Sequence, residues 1–135
     1  MNKALLDTDI LSEIGKAKNP TVAGNAKTYR RSFGHFTLST VSVMEVVSGF
    51  QRTQAAARLN AFLATLPHME ILSFDEQAGL IWARLMAGGR AAGRPRSALD
   101  MIVAAVAEAN GCLVATDNER DFAGLPIVNP MRPRP

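Results

Sequence analysis

The chain has 135 residues, of which 47% are hydrophobic and 20% charged, which is the length and composition of one compact domain. A net charge of +3 favours a polyanionic partner but is too small for a histone-like basic arm. A single cysteine, Cys112, excludes an internal disulfide, and no apolar stretch is as long as a membrane span. We therefore expect a cytoplasmic protein that does not enter a membrane.

Strands and helices are predicted to alternate along the chain. Short apolar or β-branched runs predict strands, and apolar residues at helical spacing predict helices. The predicted elements are strand 3–8, helix 9–16, a basic helix from Asn19-Pro20 to about Ser32, strand 37–41, a helix through Glu45 to Phe50, helix 53–66, strand 69–74, helix 75–86, loop 88–95, helix 97–109, strand 112–116, a helical turn at 117–122 and strand 125–128. This order predicts an α/β domain with a mainly parallel sheet, in which ligands bind beyond the carboxyl ends of the strands.

Acidic residues recur at the predicted strand ends and helix starts. Asp7 ends the first strand, Glu45 and Asp100 fall in the first turns of apolar helices, and Asp117 and Asp121 follow a later strand. Carboxyl ends of parallel strands share one edge of a sheet, so we expect several of these side chains to converge. Converging carboxylates repel one another unless a divalent cation neutralises them, and ligation by oxygen alone favours Mg²⁺ or Mn²⁺ over zinc.

Helix capping is the structural alternative for two of these acids. The segments from Ser42 to Glu45 and from Ser97 to Asp100 both fit the capping box, in which a serine caps the helix and the acid three residues later answers it. Taken alone, each acid is better explained as part of a cap than as a catalytic group. Asp100, however, opens the apolar run MIVAAVA, and a carboxylate on a helix buried on most sides needs a partner.

Four segments carry the family resemblance. They are LLDTDILSE (5–13), SVMEVVSG (42–49), DMIVAAVA (100–107), and TDNERDF (116–122) with the following VNP (128–130). In this order they resemble the motifs of PIN-domain ribonucleases, in particular the VapC toxins of type II toxin–antitoxin pairs, although Asp9 stands where the family usually has Asn. The resemblance implies a PIN-like three-layer α/β/α sandwich with a short, mainly parallel central sheet, and a single PIN domain over residues 1–135.

The resemblance also implies a metal site and an activity. Asp7, Glu45 and Asp100 would form its core, and the closing motif would add a fourth acid, for which we favour Asp121 over the alternative Asp117. Mg²⁺, or Mn²⁺, held there would lower the pKa of a bound water for phosphodiester hydrolysis. All five acids are thus candidate catalytic residues of a metal-dependent endoribonuclease toxin.

Substrate and partners follow from neighbouring residues and from the resemblance. Thr8 could hydrogen-bond a phosphate or an acid, or simply begin a helix. Arg94 and Arg96 could bind RNA phosphates, or could lie in a solvated charged loop. The resemblance implies an RNA substrate, with tRNA among the candidates, a cognate VapB-type antitoxin, and both homodimers and toxin–antitoxin hetero-oligomers.

Two other functions stay open at this point. A phosphatase of the haloacid-dehalogenase type would use Asp7 as nucleophile and Asp9 as acid–base, because DTD after a strand fits its DxD motif. That function leaves Glu45 and Asp100 without a role and suits a longer chain. The second alternative is a PIN domain that binds RNA or protein without cleaving it, which would require an incomplete set of acids.

Overall fold

A computed structural model describes residues 2–133 of the chain. Its strands are β1 (Ala4–Leu6), β2 (Thr37–Ser39), β3 (Glu70–Leu72), β4 (Leu113–Ala115) and β5 (Ile127–Val128). Its helices are α1 (Thr8–Lys16), α2 (Pro20–Phe33), α3 (Thr40–Arg52), α4 (Ala56–Thr65), α5 (Glu76–Ala91) and α6 (Ala98–Ala109), with one 3₁₀ turn at Leu66–His68. None of the helices within the described residues is both long and apolar enough to cross a membrane.

The five strands form one parallel sheet in the order β3-β2-β1-β4-β5. The chain moves outward from β1 to β2 and β3, then crosses back to place β4 on the other side of β1. The order therefore reverses between β1 and β4, which is where ligands bind in open parallel sheets. The predicted α/β fold with a short parallel sheet flanked by helices is confirmed.

The central strand β1 is buried on both faces of the sheet. Leu5 is part of one core cluster, with residues of α5 and α6, whereas Ala4 and Leu6 belong to a second cluster with residues of α1. Neighbouring residues of a strand point to opposite faces, so this short apolar run supports both helical layers. The chain leaves β1 at Asp7, at the carboxyl edge of this buried centre.

Helix α3 begins earlier than the sequence predicts. Its N-cap is Ser39, in extended conformation, whose hydroxyl accepts a hydrogen bond from the Ser42 N–H at 3.2 Å. The predicted capping box from Ser42 to Glu45 is therefore wrong, because Ser42 already lies inside the helix. Glu45 falls in the second turn of α3 and takes no part in the cap.

Helix α5 runs further than predicted, through the glycines that were expected to open a loop. It ends at Ala91, so the predicted loop at 88–95 is wrong over its first half. The reason for glycine is close packing rather than a turn. A Cβ on Gly89 would lie 2.9 Å from the carbonyl oxygen of Arg94 and 2.9 Å from Cγ of Arg96. The segment after α5 thus folds back directly onto the helix.

Candidate active site

The candidate site lies at the carboxyl ends of β1 and β4, where the strand order reverses. Leu6 is paired with Ala115 in the sheet, so the next residues, Asp7 and Thr116, leave the two strands side by side. The Asp7 N–H donates to the Ala115 carbonyl at 2.9 Å, and the Thr116 hydroxyl donates to Asp7 Oδ2 at 2.9 Å. The first acid of the site is therefore fixed by the sheet itself.

Asp7 is a buried carboxylate, with 7% of the residue exposed. Its Oδ1 accepts the N–H of Thr8 at 2.9 Å, and it serves as the N-cap of α1. Burial, together with the charges of Asp9 and Asp100, raises the pKa of Asp7 to about 6, against the lowering effect of the hydrogen bonds from Thr116 and Thr8. A carboxyl whose charge is this unfavourable favours a cation beside it.

Glu45 reaches the same site from α3. Its Oε1 accepts a hydrogen bond from the Thr8 hydroxyl at 2.9 Å. Thr8 follows Asp7 directly and is the first residue of α1, so one short segment contacts two of the acids. Of the roles expected for Thr8, both hydrogen bonding to an acid and beginning a helix are seen in the structure.

Asp100 enters from the first turn of α6. Ser97 is the N-cap of this helix, and its hydroxyl accepts the Asp100 N–H at 3.3 Å, as the capping box predicts. The pKa of Asp100 is raised, first by burial, then by the charge of Asp121 and by Glu45. Asp100 is thus electrostatically coupled to acids from the closing motif, from α3 and, through Asp7, from β1.

The two candidates for the fourth acid have different surroundings. The charge of Asp121 raises the pKa of Asp100, and Asp121 Oδ2 accepts a hydrogen bond from the Asn118 amide at 2.8 Å. Asp117 Oδ1 instead accepts from the Asn129 amide at 3.0 Å. The charge of Asp121, rather than that of Asp117, therefore acts on Asp100.

Asp9 connects the start of α1 to the segment after β4. Its Oδ2 accepts the Asp117 N–H at 2.9 Å and the Thr116 hydroxyl at 3.4 Å, while Oδ1 accepts the Ile10 N–H at 2.7 Å. Both oxygens are thus engaged by the protein. These bonds give Asp9 a structural role in holding the start of α1 against the segment after β4, and its charge helps to raise the pKa of Asp7.

The two arginines before α6 also differ. Arg96 donates to the backbone carbonyl oxygens of Asp121 at 3.3 Å and of Ala123 at 2.8 Å. Arg94 is exposed, and its guanidinium forms no hydrogen bond within residues 2–133. Arg94 is therefore available to a ligand, whereas two nitrogens of Arg96 are already used to hold the loop that carries Asp121.

The acids are chemically suited to a divalent metal ion, although their side chains are not arranged around a common point. Across the part of the chain that the structure describes, no three acidic, histidine or cysteine side chains are arranged to hold a metal ion directly. Asp7, Glu45 and Asp121 instead accept hydrogen bonds from neighbouring side chains. The candidate ligands are carboxylates alone, which suit a hard cation, and burial together with their mutual repulsion raises the pKa of both Asp7 and Asp100.

Sequence reasoning assigned no role to Thr116 and Asn118, which contact acids of the candidate site. Thr116 donates to Asp7, and Asn118 donates to Asp121 while its own N–H donates to the Thr116 hydroxyl at 3.0 Å. Both belong to the closing motif TDNERDF. The polar character of Thr116 and Asn118, close to the acids of the motif, was the available signal. Spacing alone does not tell which acid such a donor contacts.

Comparisons with known proteins agree with this geometry. The PIN domain family model matches residues 4–127. The chain is 33% identical to VapC ribonuclease Y4jK of Sinorhizobium fredii over 96% of this chain and 98% of that protein. It is 27% identical to the tRNA(fMet)-specific endonuclease VapC of Shigella flexneri, over 90% of this chain and 91% of that one.

A solved structure gives the same result for the fold. The structure titled DNA-bound VapBC from Salmonella typhimurium superposes with a TM-score of 0.79 at 25% identity, covering 96% of each chain. Family and fold therefore agree with the acids gathered at the strand ends, and the haloacid-dehalogenase alternative has no support from either. The chain belongs to the PIN-domain family, as a VapC-type ribonuclease.

Proposed function

We propose that this chain forms a single PIN domain over residues 1–135 and is a Mg²⁺-dependent endoribonuclease toxin whose site consists of Asp7, Glu45, Asp100 and Asp121. The observation that carries the proposal is the coupling of these acids at one edge of the sheet. Burial and neighbouring acids raise the pKa of both Asp7 and Asp100, so the charged carboxylates destabilise the folded protein when no cation is bound. Such a cost is typical of a functional site.

Each acid has a role that its position supports. Asp7 and Asp100, the two acids whose pKa values burial raises, would be the principal metal ligands, and Asp121 would complete the set, with Asp117 as the alternative. Glu45, oriented by Thr8, would be a further ligand or would position the attacking water. A bound Mg²⁺, or Mn²⁺, would supply positive charge to the developing charge on the phosphodiester.

The substrate and partners are proposed from the resemblance and from the relatives. RNA is the proposed substrate, and tRNA is the first class to test because one relative is named a tRNA(fMet)-specific endonuclease. Arg94 is the proposed phosphate-binding residue, since its guanidinium is exposed beside α6. A VapB-type antitoxin is the proposed partner because several structural neighbours are VapBC complexes. Homodimers, toxin–antitoxin hetero-oligomers and a cytoplasmic location complete the proposal.

The decisive experiment compares the wild-type chain with Asp7→Asn and Asp100→Asn. We expect Mg²⁺-dependent cleavage of RNA by the wild type, with loss on the order of 100-fold or more in each variant, because each removes a charged ligand. The same variants should relieve growth arrest on expression. Circular dichroism and thermal melting show whether each variant is folded.

Two outcomes would overturn the proposal. Full cleavage by either variant would show that the substituted acid is not a metal ligand. A folded wild-type protein that binds RNA but cleaves none of a broad RNA panel with Mg²⁺ or Mn²⁺ would instead favour a PIN domain that binds without cleaving. Lys18→Ala is a suitable control for charge, because Lys18 is exposed beyond the far end of α1 and should leave cleavage unchanged.

A further inference from the structure

Asp121 sits on a segment without helix or strand, so its position depends on other contacts. After β4 the chain passes through a series of turns before it reaches β5. Phe122, completely buried, anchors the middle of this segment in the core. On either side of Phe122, the backbone carbonyls of Asp121 and Ala123 accept hydrogen bonds from Arg96. One guanidinium therefore bridges the loop across its anchor.

Arg96 is itself held in a fixed place. The Arg94 N–H donates to the Gly89 carbonyl at 2.9 Å, which ties the segment before α6 to α5. Gly89 is buried, and a Cβ there would lie 2.9 Å from the Arg94 carbonyl oxygen and 3.4 Å from Cδ of Arg96. The missing side chain of Gly89 thus provides the space in which the Arg96 side chain lies before it reaches the loop.

The bridge sits between two acids of the site. Arg96 lies one residue before Ser97, the N-cap of α6, and so four residues before Asp100. Its guanidinium contacts the backbone of Asp121, the residue whose charge raises the pKa of Asp100. A single side chain therefore links the start of α6 to the loop that carries the fourth acid.

We propose that Arg96 is a positioning residue: it holds Asp121 beside Asp100 by bridging the carbonyls of Asp121 and Ala123, and Gly89 makes room for it. This inference rests on the proposed metal site. Arg96 contacts backbone oxygens and not the carboxylates, so it acts on metal affinity through geometry. Charge and geometry then have opposite effects, because removing a cation near a cation site should by itself strengthen metal binding.

The test measures Mn²⁺ and Mg²⁺ affinity by calorimetry on the whole chain without RNA. Arg96→Ala should weaken metal binding about tenfold, the size typical of losing a residue that orients a metal ligand. Asp121→Asn should weaken it as well. In the double variant the two losses should not add, because Arg96 acts only through Asp121. Arg96→Lys, which keeps the charge but cannot span both carbonyls, should recover only part of the affinity.

Arg94→Ala is the matched control, since it removes an equal charge from the same segment without touching the loop. It should leave metal affinity unchanged or slightly raise it. Gly89→Ala offers a second route, because the added Cβ displaces Arg96 without changing any charge. It should weaken metal binding as Arg96→Ala does, even though alanine by itself stabilises a helix relative to glycine.

Unchanged or tighter metal binding in folded Arg96→Ala would overturn the positioning role, as would fully additive losses in the double variant. If the wild type bound no metal, or if Asp7→Asn and Asp100→Asn bound it normally, the proposed metal site would fail first. Loss at Asp7 and Asp100 together with no effect at Arg96 would reject this inference alone.

Discussion

Asp7 shows at the scale of one residue how a functional group opposes stability. Its carboxylate is buried at the centre of the sheet edge, and Asp9 and Asp100 add negative charge around it. Thr116 and Thr8 donate hydrogen bonds, yet the pKa is still raised to about 6. The charged form is therefore unfavourable in the folded chain when no cation is bound, and an amide of the same shape should be tolerated better.

We predict that Asp7→Asn stabilises the metal-free fold while it lowers cleavage on the order of 100-fold or more. Asp7 has a pKa of about 6 in the folded chain against an ordinary value of 3.8. Its ionisation therefore does not destabilise the wild-type fold below pH 3.8, destabilises it increasingly as pH rises from 3.8 to 6, and has its full effect above pH 6. At about pH 8 the variant should be more stable by roughly 2 to 3 kcal/mol, and the difference should shrink towards pH 4. Urea unfolding in chelator at several pH values measures this.

Metal provides the internal control for that prediction. Added Mg²⁺ should stabilise the wild type, because a ligand that binds only the folded state shifts the equilibrium towards it, and should stabilise Asp7→Asn much less. Asparagine remains a good N-cap, so the start of α1 should be unaffected. A variant that is less stable than wild type by the same amount at every pH would contradict the raised pKa.

At the scale of elements, helix starts place the acids. Asp7 caps α1, and Ser97 caps α6 with Asp100 in its first turn. In both cases an ordinary cap fixes the backbone of a residue that also belongs to the site. Capping and metal binding, which looked like competing explanations in the sequence, are therefore compatible.

We predict that Ser97→Ala shifts the pH dependence of cleavage towards alkaline pH. The Ser97 side chain lowers the pKa of Asp100, so its removal should raise that pKa and move the acidic limb of the activity profile to higher pH. Stability should fall by about 1 kcal/mol, the usual cost of losing a serine cap. The measurement is the cleavage rate at saturating Mg²⁺ as a function of pH.

Ser39→Ala is the matched control for the cap. It removes the N-cap of α3, which contacts Ser42 and no acid of the site. Its stability loss should be similar, but its pH profile should follow that of the wild type. Equal shifts in both variants would mean that the profile reports stability and that the Ser97 contact does not tune Asp100.

What could be predicted at this scale depended on how local the signal was. The strand-to-helix alternation and the cap at Ser97 follow from nearby residues, and the structure has both. The predicted start of α3 was wrong because Ser39 and Ser42 are both suitable N-cap residues, and only the geometry at the end of the strand selects Ser39. The predicted end of α5 was wrong because Gly89 was taken as a sign of a loop. Glycine is required there because Arg94 and Arg96, on the segment that folds back onto the helix, leave no room for a Cβ.

The site followed the same rule. Asp7, Glu45 and Asp100 could be named because each stands in a recognisable motif, and their assignment as metal ligands stays a prediction. The contacts of Thr8 with Glu45 and of Arg96 with the Asp121 carbonyl join residues far apart in the chain. No spacing rule contains such contacts, since they depend on how the sheet brings distant segments together.

At the scale of the whole molecule, charge is divided between the site and the rest of the surface. The chain carries a net charge of +3, although electrostatically coupled acids lie at the carboxyl edge of the sheet. A polyanion approaching that edge would be repelled by the acids alone, so cations beside them must favour its binding. Arg94 is the exposed cation on the segment that leads into α6 and Asp100.

We predict that Arg94→Ala weakens RNA binding and flattens its dependence on salt. A residue that neutralises one phosphate of a single strand contributes about 0.7 to the slope of log affinity against log salt concentration, so the slope should fall by about that amount. Binding is measured in the Asp7→Asn background, in which RNA is not expected to be cleaved. Lys18→Ala, which removes a cation beyond the far end of α1, should leave the slope unchanged. An equal slope in Arg94→Ala and its parent would show that Arg94 contacts no phosphate.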